Sequence, residues 1–213
     1  MVAQVIWARR QLVPGETLRN LVLMGMGEPL ANYRETARAL RLLTDSRGSD
    51  FSPRRITVST VGLVPGIERL GRDFGGKIGL ALSLHAPDDA TRQQIVPLGR
   101  RYPIRVLLEA LRRYPLPRRR RITIEYTLIE GLNDRPRQAE QLASLLRGLR
   151  VKLNLIPMNR IPGSSWGPPS AERVEAFRDT LTSRGYSCFV RTARGTDVSA
   201  ACGQLGFGDG DKP

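Results

Sequence analysis

Cys202 lies in the segment DVSAACGQLG, residues 197–206, where small residues surround the thiol. The segment is too polar and too rich in glycine for a core strand. The chain has only one other cysteine, Cys188, and the wide spacing of the two gives no disulfide framework. A lone thiol serves either packing or chemistry. The residues alone leave both possibilities open for Cys202.

Glu28 and His85 are the other residues whose chemistry is conspicuous. Glu28 stands between Gly27 and Pro29 after an apolar run, which suits a carboxylate that holds an ammonium group. His85 is the sole histidine, and a lone histidine is more often a buried, hydrogen-bonded side chain than a catalyst. One histidine and two cysteines cannot form a self-sufficient zinc site. GMGEPL lacks the third glycine of the dinucleotide-binding fingerprint, which excludes that motif.

Apolar, β-rich runs alternate along the chain with segments of helical periodicity, a pattern typical of a parallel sheet with crossover helices. The predicted strands are 21–27, 55–61, 77–85, 121–129, 151–158 and 187–193, and the predicted helices are 32–46, 89–96, 104–114, 136–149 and 171–185. No linker divides the chain, so we expect residues 1–213 to form one domain. Six strands with helices between them predict an open or partial barrel.

The turns that follow the strands of such a fold gather at one face, where sites are built. The unusual residues all fall at these turns: Glu28 after the first strand, Ser59 near the end of the second, His85 after the third, Asn159 after the fifth and segment 194–202 after the last. Taken singly, Ser59 and Asn159 could be turn formers or helix caps. We expect the whole group to face one cavity.

The charge of the chain favours a polyanionic partner. Lys and Arg number 34 against 20 Asp and Glu, which gives a net charge of +14. Basic surface attracts phosphates without reading bases, although proteins encoded by high-GC genomes can be arginine-rich for compositional reasons alone. The charge peaks in residues 112–121, which precede a strand and therefore belong to the opposite face, as an outer RNA contact or a solvated loop. No apolar run has the length of a membrane span or signal peptide, which predicts a cytoplasmic protein with no membrane partner.

Five motifs taken together resemble one family. MGMGEPL, RRITVSTVG, SLHAP, NLIPMN and RGTDVSAACGQL, in this order, are similar to the RlmN/Cfr-like radical S-adenosylmethionine (SAM) methyltransferases that act on adenosine in RNA. The set is specific because five separate strand ends agree, and the resemblance extends from Val2 to about Leu205. It implies an α/β fold, a partial (β/α)6 TIM-like barrel of the radical SAM type, lacking the first strand and the N-terminal accessory domain.

The resemblance also implies a reaction, methylation of carbon 2 of an adenosine in 23S rRNA, with tRNA as a further substrate. Carbon 2 is electrophilic and cannot attack the methyl group of SAM. In the family, the cysteine matching Cys202 becomes an S-methylcysteine, and a radical made from a second SAM at a 4Fe–4S cluster activates that methyl group. A reductant protein supplies electrons to the cluster. The implied SAM-binding residues are Gly27, Glu28, Ser59, Ser83, Leu84, His85 and Asn159, whereas Cys188 is assigned to the core.

This sequence also departs from the family pattern. It contains no CxxxCxxC segment, so we expect no metal ligand in this chain and no methylation by the chain alone. VAQVIWARRQL resembles the end of the helix that follows the cluster. This predicts that Met1 is an internal start and that the chain is the carboxyl-terminal part of a longer enzyme or a decayed copy of one. Three alternatives stay open: a non-catalytic RNA-binding remnant, a carbon 8 methyltransferase of the same family and, less strongly, an unrelated barrel enzyme acting on phosphates.

Overall fold

The computed structural model describes residues 1–25, 27–160 and 163–191. Cys202 and the predicted 194–202 turn lie outside these residues, as do residues 192 and 193 of the last predicted strand. Within the described ranges no helix is long and apolar enough to cross a membrane.

The described part of the chain contains one parallel sheet of six strands, paired in the order in which they occur in the sequence. The strands are β1 Leu21–Leu23, β2 Ile56–Thr60, β3 Gly79–Ser83, β4 Ile122–Leu128, β5 Val151–Pro157 and β6 Cys188–Val190. Every strand lies within its predicted range, and the predicted fold class is confirmed. The strands are shorter than the sequence predicts because the apolar runs continue into the turns at both ends.

Helices connect consecutive strands. They are α1 Val2–Arg10, α2 Tyr33–Thr44, α3 Val64–Phe74, α4 Asp89–Ile95, α5 Ile104–Arg113, α6 Pro136–Leu145 and α7 Ala171–Ser183. Five of them match predicted helices, and α1 contains the segment that resembles a helix end. The prediction contained no helix at α3 and was therefore wrong for residues 64–74.

Helix α3 escaped prediction because Pro65, Gly66 and Gly71 lower its apparent helix propensity. The two glycines serve close packing instead. A Cβ at Gly66 would lie 2.6 Å from the Leu30 Cβ, and one at Gly71 would lie 2.8 Å from Pro115. Pro65 stands in the first turn, where its missing N–H is harmless.

The two faces of the sheet differ in chemistry because successive side chains point to opposite sides. One face is apolar and buried, with Val58, Leu80, Ile124 and Leu153 each at most 2% exposed. The other is polar. There, register places Ser83, Glu125 and Asn154 in one row across β3, β4 and β5. We call this polar side the inner face, and it leads to the carboxyl ends of the strands.

Candidate functional site

A cavity of about 360 Å³ opens at the carboxyl ends of β2 to β5. It is mostly apolar, with an imidazole and an amide among its lining groups. The lining residues are Val61, His85, Ile95, Val96, Pro97, Leu98, Thr127, Ile129, Ile156, Pro157, Met158 and Asn159. A wider surface groove of about 560 Å³ lies along α6, but it contains none of the predicted site residues. The cavity at the strand ends is therefore the candidate site.

The imidazole of His85 is held in one orientation by the backbone around it. Its φ of 60° lies in the left-handed region, which is uncommon for a residue other than glycine. The Thr127 N–H donates to His85 Nδ1 at 3.0 Å. Burial, together with the nearby positive charge of Arg92, lowers the pKa of His85 to about 4. The ring is therefore neutral at physiological pH.

Asn133 ties His85 to strand β4. Its side chain is fully buried, and its Nδ2 donates to the carbonyls of His85 and Thr127, both at 2.7 Å. Its Oδ1 accepts the Ile129 N–H at 2.7 Å. Sequence reasoning missed Asn133. The one available signal was the polar EGLND run directly after a strand, which reads equally well as an ordinary turn.

Glu28 connects two strand-end turns. Its Oε1 accepts the Leu30 N–H at 2.9 Å, and its Oε2 accepts the Val61 N–H at 2.8 Å. Since each carboxylate oxygen has more than one lone-pair site, Glu28 keeps the capacity to accept a further hydrogen bond. The carboxylate therefore supports Val61 from behind the cavity wall. It can also accept a hydrogen bond from a bound ligand.

Arg92 is a second site residue that sequence reasoning missed. Its guanidinium is fully buried and donates to the Val61 carbonyl at 2.6 Å and to the Tyr102 carbonyl at 3.4 Å. Burial lowers the pKa of Arg92, against the attraction of Asp89. The turn that it holds needs glycine at position 62, because φ there is 107° and a Cβ would lie 2.7 Å from Leu107 Cδ2.

Glu125 lies on the inner face, in the row that contains Ser83. It is 3% exposed, and its Oε1 accepts a hydrogen bond from Asn154 Nδ2 at 3.0 Å. Its Oε2 has no partner among the described residues. Burial raises the pKa of Glu125, against the hydrogen bond from Asn154 and the positive charges of Arg191 and Lys152.

Comparison with known proteins identifies the family. No protein-family model matches the chain. A protein named dual-specificity RNA methyltransferase RlmN, from Sorangium cellulosum, is 64% identical over 205 residues, which are 96% of this chain and 53% of the relative. The crystal structure of a radical SAM methyltransferase from Sphaerobacter thermophilus is 53% identical, with a TM-score of 0.91 over 96% of this chain and 60% of that one. The chain belongs to the RlmN-like radical SAM methyltransferase family.

Other relatives agree with this assignment. A protein of the same name from Syntrophobacter fumaroxidans is 48% identical over 96% of this chain and 59% of its own length. The chain thus spans between half and three fifths of the curated relatives that it matches. A domain of a pyruvate-formate lyase-activating enzyme from Bacteroides vulgatus, 20% identical with a TM-score of 0.60, shares the fold alone.

The structure brings only part of the SAM residues that the family resemblance implies into the cavity. His85 and Asn159 line it. Glu28 is connected to the cavity by its hydrogen bond from the N–H of Val61, which lines the cavity. Gly27 directly precedes Glu28 and has a φ of 89°. Like Gly27 and Glu28, the other three residues are not part of the cavity lining: Ser59 and Ser83 are near the ends of β2 and β3, and Leu84 is fully buried, with its N–H donating to the Glu125 carbonyl.

An iron–sulfur cluster does not fit the described residues. A 4Fe–4S cluster needs thiolate ligands, and the one described cysteine, Cys188, has its pKa raised to about 12 by burial, against the nearby charge of Arg178. Within the described ranges no group of three or more metal-binding side chains comes together. The described residues therefore offer no ligand set for the cluster.

Proposed function

We propose that this chain forms the nucleoside-binding part of an RNA methyltransferase that acts on carbon 2 of an adenosine in 23S rRNA and in tRNA. The description of its relatives as dual-specificity RNA methyltransferases supports an RNA substrate. We choose carbon 2 because its methylation is the general activity of the family. Methylation of carbon 8 is the alternative within the family.

The cavity at the strand ends carries this proposal. Its volume of about 360 Å³ suits a small molecule, and its walls of Ile, Val, Pro and Met side chains suit the flat face of a purine. His85, Thr127 and Asn159 add hydrogen-bonding groups to a mostly apolar lining. Such a combination selects a heterocycle by shape and fixes its orientation by a few polar contacts.

SAM, when bound, supplies the methyl group. In our proposal Gly27 and Glu28 bind its amino group, Asn159 contacts its adenosine part, and Ser59 and the Ser83–Leu84–His85 segment border the pocket. Glu28 suits an ammonium group because it is a carboxylate fixed by two backbone N–H groups. Cys202, which lies outside the described residues, is proposed from sequence to accept the methyl group as a thiolate.

Binding of S-adenosylhomocysteine, measured by isothermal titration calorimetry, tests the cavity without requiring catalysis. Asn159→Ala is expected to weaken binding about tenfold, the effect of one lost hydrogen bond. Gln141→Ala, an exposed amide on α6, is the matched control and should leave affinity unchanged. An Asn159→Ala variant that binds as tightly as the native chain would remove Asn159 from the site.

The second candidate function is RNA binding without catalysis. The net charge of +14 and the poor fit of the described residues to an iron–sulfur cluster favour it. The same titration separates the two functions. A chain that binds RNA but no S-adenosylhomocysteine supports the RNA-binding remnant, whereas a chain that binds both supports the methyltransferase.

A further inference from the structure

The imidazole of His85 has a defined donor and a defined acceptor. The Thr127 N–H can only donate, so the Nδ1 atom that it meets at 3.0 Å must be the unprotonated nitrogen. A neutral imidazole then carries its proton on Nε2. Among the described residues Nε2 has no hydrogen-bond partner, and His85 lines the cavity. The Nε2–H is therefore the group that this side chain offers to a ligand.

The backbone of His85 needs support to stay in this geometry. A left-handed φ costs a residue with a Cβ about 1–2 kcal/mol. Three hydrogen bonds oppose that cost: the N–H groups of Leu84 and His85 both donate to the Glu125 carbonyl, and Asn133 Nδ2 donates to the His85 carbonyl at 2.7 Å. The first two also extend the pairing of β3 with β4.

Asn133 acts on both partners of the Thr127–His85 hydrogen bond. One Nδ2 hydrogen binds the His85 carbonyl and the other binds the Thr127 carbonyl, so a single amide fixes the residue that carries the imidazole and the residue that donates to it. The Asn133 backbone carbonyl accepts the Tyr126 hydroxyl at 2.9 Å, which anchors the amide to β4. An aspartate at this position could not supply the two N–H donors.

We propose that Asn133 is a positioning residue that holds His85 as a neutral imidazole, with its Nε2–H donating to an acceptor atom of the nucleoside in the cavity. The inference rests on the proposed function for the identity of that ligand. The geometry of the imidazole itself does not depend on it.

The charged groups around His85 favour the neutral ring. From α4, the buried Arg92 places a positive charge nearby. The carboxylates close by are already engaged: Asp88 accepts from Thr91, Asp134 accepts from Gly131 and Arg173, and Glu125 accepts from Asn154 on the inner face. None of these carboxylates hydrogen-bonds to the imidazole within the described part of the chain, so no ion pair stabilises the protonated form.

Nitrogen-15 NMR tests the proposal on the native chain. Because the chain contains one histidine, the ring signals belong to His85. The couplings of each nitrogen to the two carbon-bound ring protons then distinguish Nδ1 from Nε2. The expected spectrum has an unprotonated Nδ1 and a protonated Nε2, unchanged between pH 8 and pH 5.5. A proton on Nδ1, or a titration near the usual pKa of about 6.5, overturns the proposal.

Asn133→Ala separates positioning from general stability. The variant is expected to raise the His85 pKa by at least one unit, a tenfold change in protonation, and to mix the two ring tautomers. Asn32→Ala, an exposed asparagine that makes no cap hydrogen bond, is the control and should leave the spectrum unchanged. A folded Asn133→Ala chain with the native spectrum overturns the role of Asn133. If the variant does not fold, the native spectrum still decides the tautomer.

Addition of S-adenosylhomocysteine tests the donor role. The Nε2–H signal is expected to move on binding, as it would on forming a hydrogen bond. Binding that leaves this signal in place overturns the donor role. A chain with the expected tautomer that binds no S-adenosylhomocysteine supports the positioning role of Asn133 and refutes the proposed function instead.

Discussion

Glu28 and Arg92 hydrogen-bond to the same residue, Val61, on the two sides of its backbone. Glu28 Oε2 accepts the Val61 N–H at 2.8 Å, and Arg92 donates to the Val61 carbonyl at 2.6 Å. The anionic and cationic side chains come from the turn after β1 and from α4, so they join three segments at the rim of the cavity. Val61 lines that cavity, and its conformation is consequently set by charged groups behind the lining.

Arg92→Met should therefore destabilise the fold. The substitution removes a buried charge-assisted hydrogen bond and leaves the Val61 carbonyl unpaired, a loss of about 2–3 kcal/mol in the free energy of unfolding. It also removes one cause of the low His85 pKa, which should rise. Urea denaturation and histidine NMR measure the two effects.

Arg105→Met is the matched control for that experiment. Arg105 pairs with Glu109 on α5, but its side chain is 78% exposed, and an exposed pair contributes little. We expect a change below about 0.5 kcal/mol. Equal losses in the two variants would contradict a structural role for the buried guanidinium.

Glu125→Gln is expected to stabilise the chain at neutral pH. Because burial raises the Glu125 pKa, the folded state holds the proton more tightly than the unfolded state. The stability that this provides is complete below the pKa of the unfolded chain and is lost as pH rises through the folded-state value. Glutamine keeps an acceptor for Asn154 and has no proton to lose.

The measurement is the difference in unfolding free energy between Glu125→Gln and the native chain at several pH values. The difference should increase from pH 4 to pH 7. Glu130→Gln, at an exposed glutamate, is the control, with an expected change below about 0.5 kcal/mol throughout. A Glu125→Gln difference that does not vary with pH would mean that the carboxyl ionises alike in both states.

The sheet was predictable from sequence because its strands are short, β-branched and bounded by turn residues. Strand β4, Ile122–Leu128, lies inside one such run, and the order of the strands in the sheet is simply their order in the chain. Helix α3 was not predictable in this way. Its glycines weaken the local pattern, and the reason for them, contact with Leu30 and Pro115, lies in the tertiary structure.

The site residues likewise divide into those that the sequence indicated and those that only the tertiary structure reveals. His85 was noticed as the sole histidine at a strand end, but only the family resemblance implied a role in binding. The structure places it in the cavity. Asn133 and Arg92 were missed because each acts on a residue far along the chain: 48 positions separate Asn133 from His85, and 31 separate Arg92 from Val61. No local pattern marks such contacts, since an asparagine in a turn and an arginine on a helix are ordinary residues.

The loop that precedes β4 gives a prediction about RNA. Two arginines there have structural partners: Arg120 donates to the Arg54 carbonyl and Arg121 to Ser187. Arg150, which precedes β5, donates to the carbonyls of the 116–118 segment of the loop. Arg118 and Arg119 are exposed. If RNA binds at this face, Arg118→Gln and Arg119→Gln should each flatten the slope of log affinity against log salt concentration by about one unit.

Fluorescence anisotropy with a short labelled RNA measures that slope. Arg178→Gln is the control, because Arg178 is already paired with Glu175 and Asp179 on α7. A slope that both loop variants leave unchanged would assign Arg118 and Arg119 to solvated surface. Arg150→Gln should instead lower stability, since it leaves loop carbonyls unpaired.

The two cysteines should differ in reactivity. Burial raises the Cys188 pKa to about 12, so at pH 8 only about one thiol in ten thousand is ionised in the folded chain. Iodoacetamide should therefore label Cys188 slowly until urea unfolds the protein. Cys202, proposed as the methyl acceptor, should be labelled rapidly under native conditions. Mass spectrometry of the labelled peptides, with Cys188→Ser and Cys202→Ser as matched variants, assigns each rate. Rapid native labelling of Cys188 would contradict its burial, and a Cys202 that reacts only in urea would contradict its proposed role as a nucleophile.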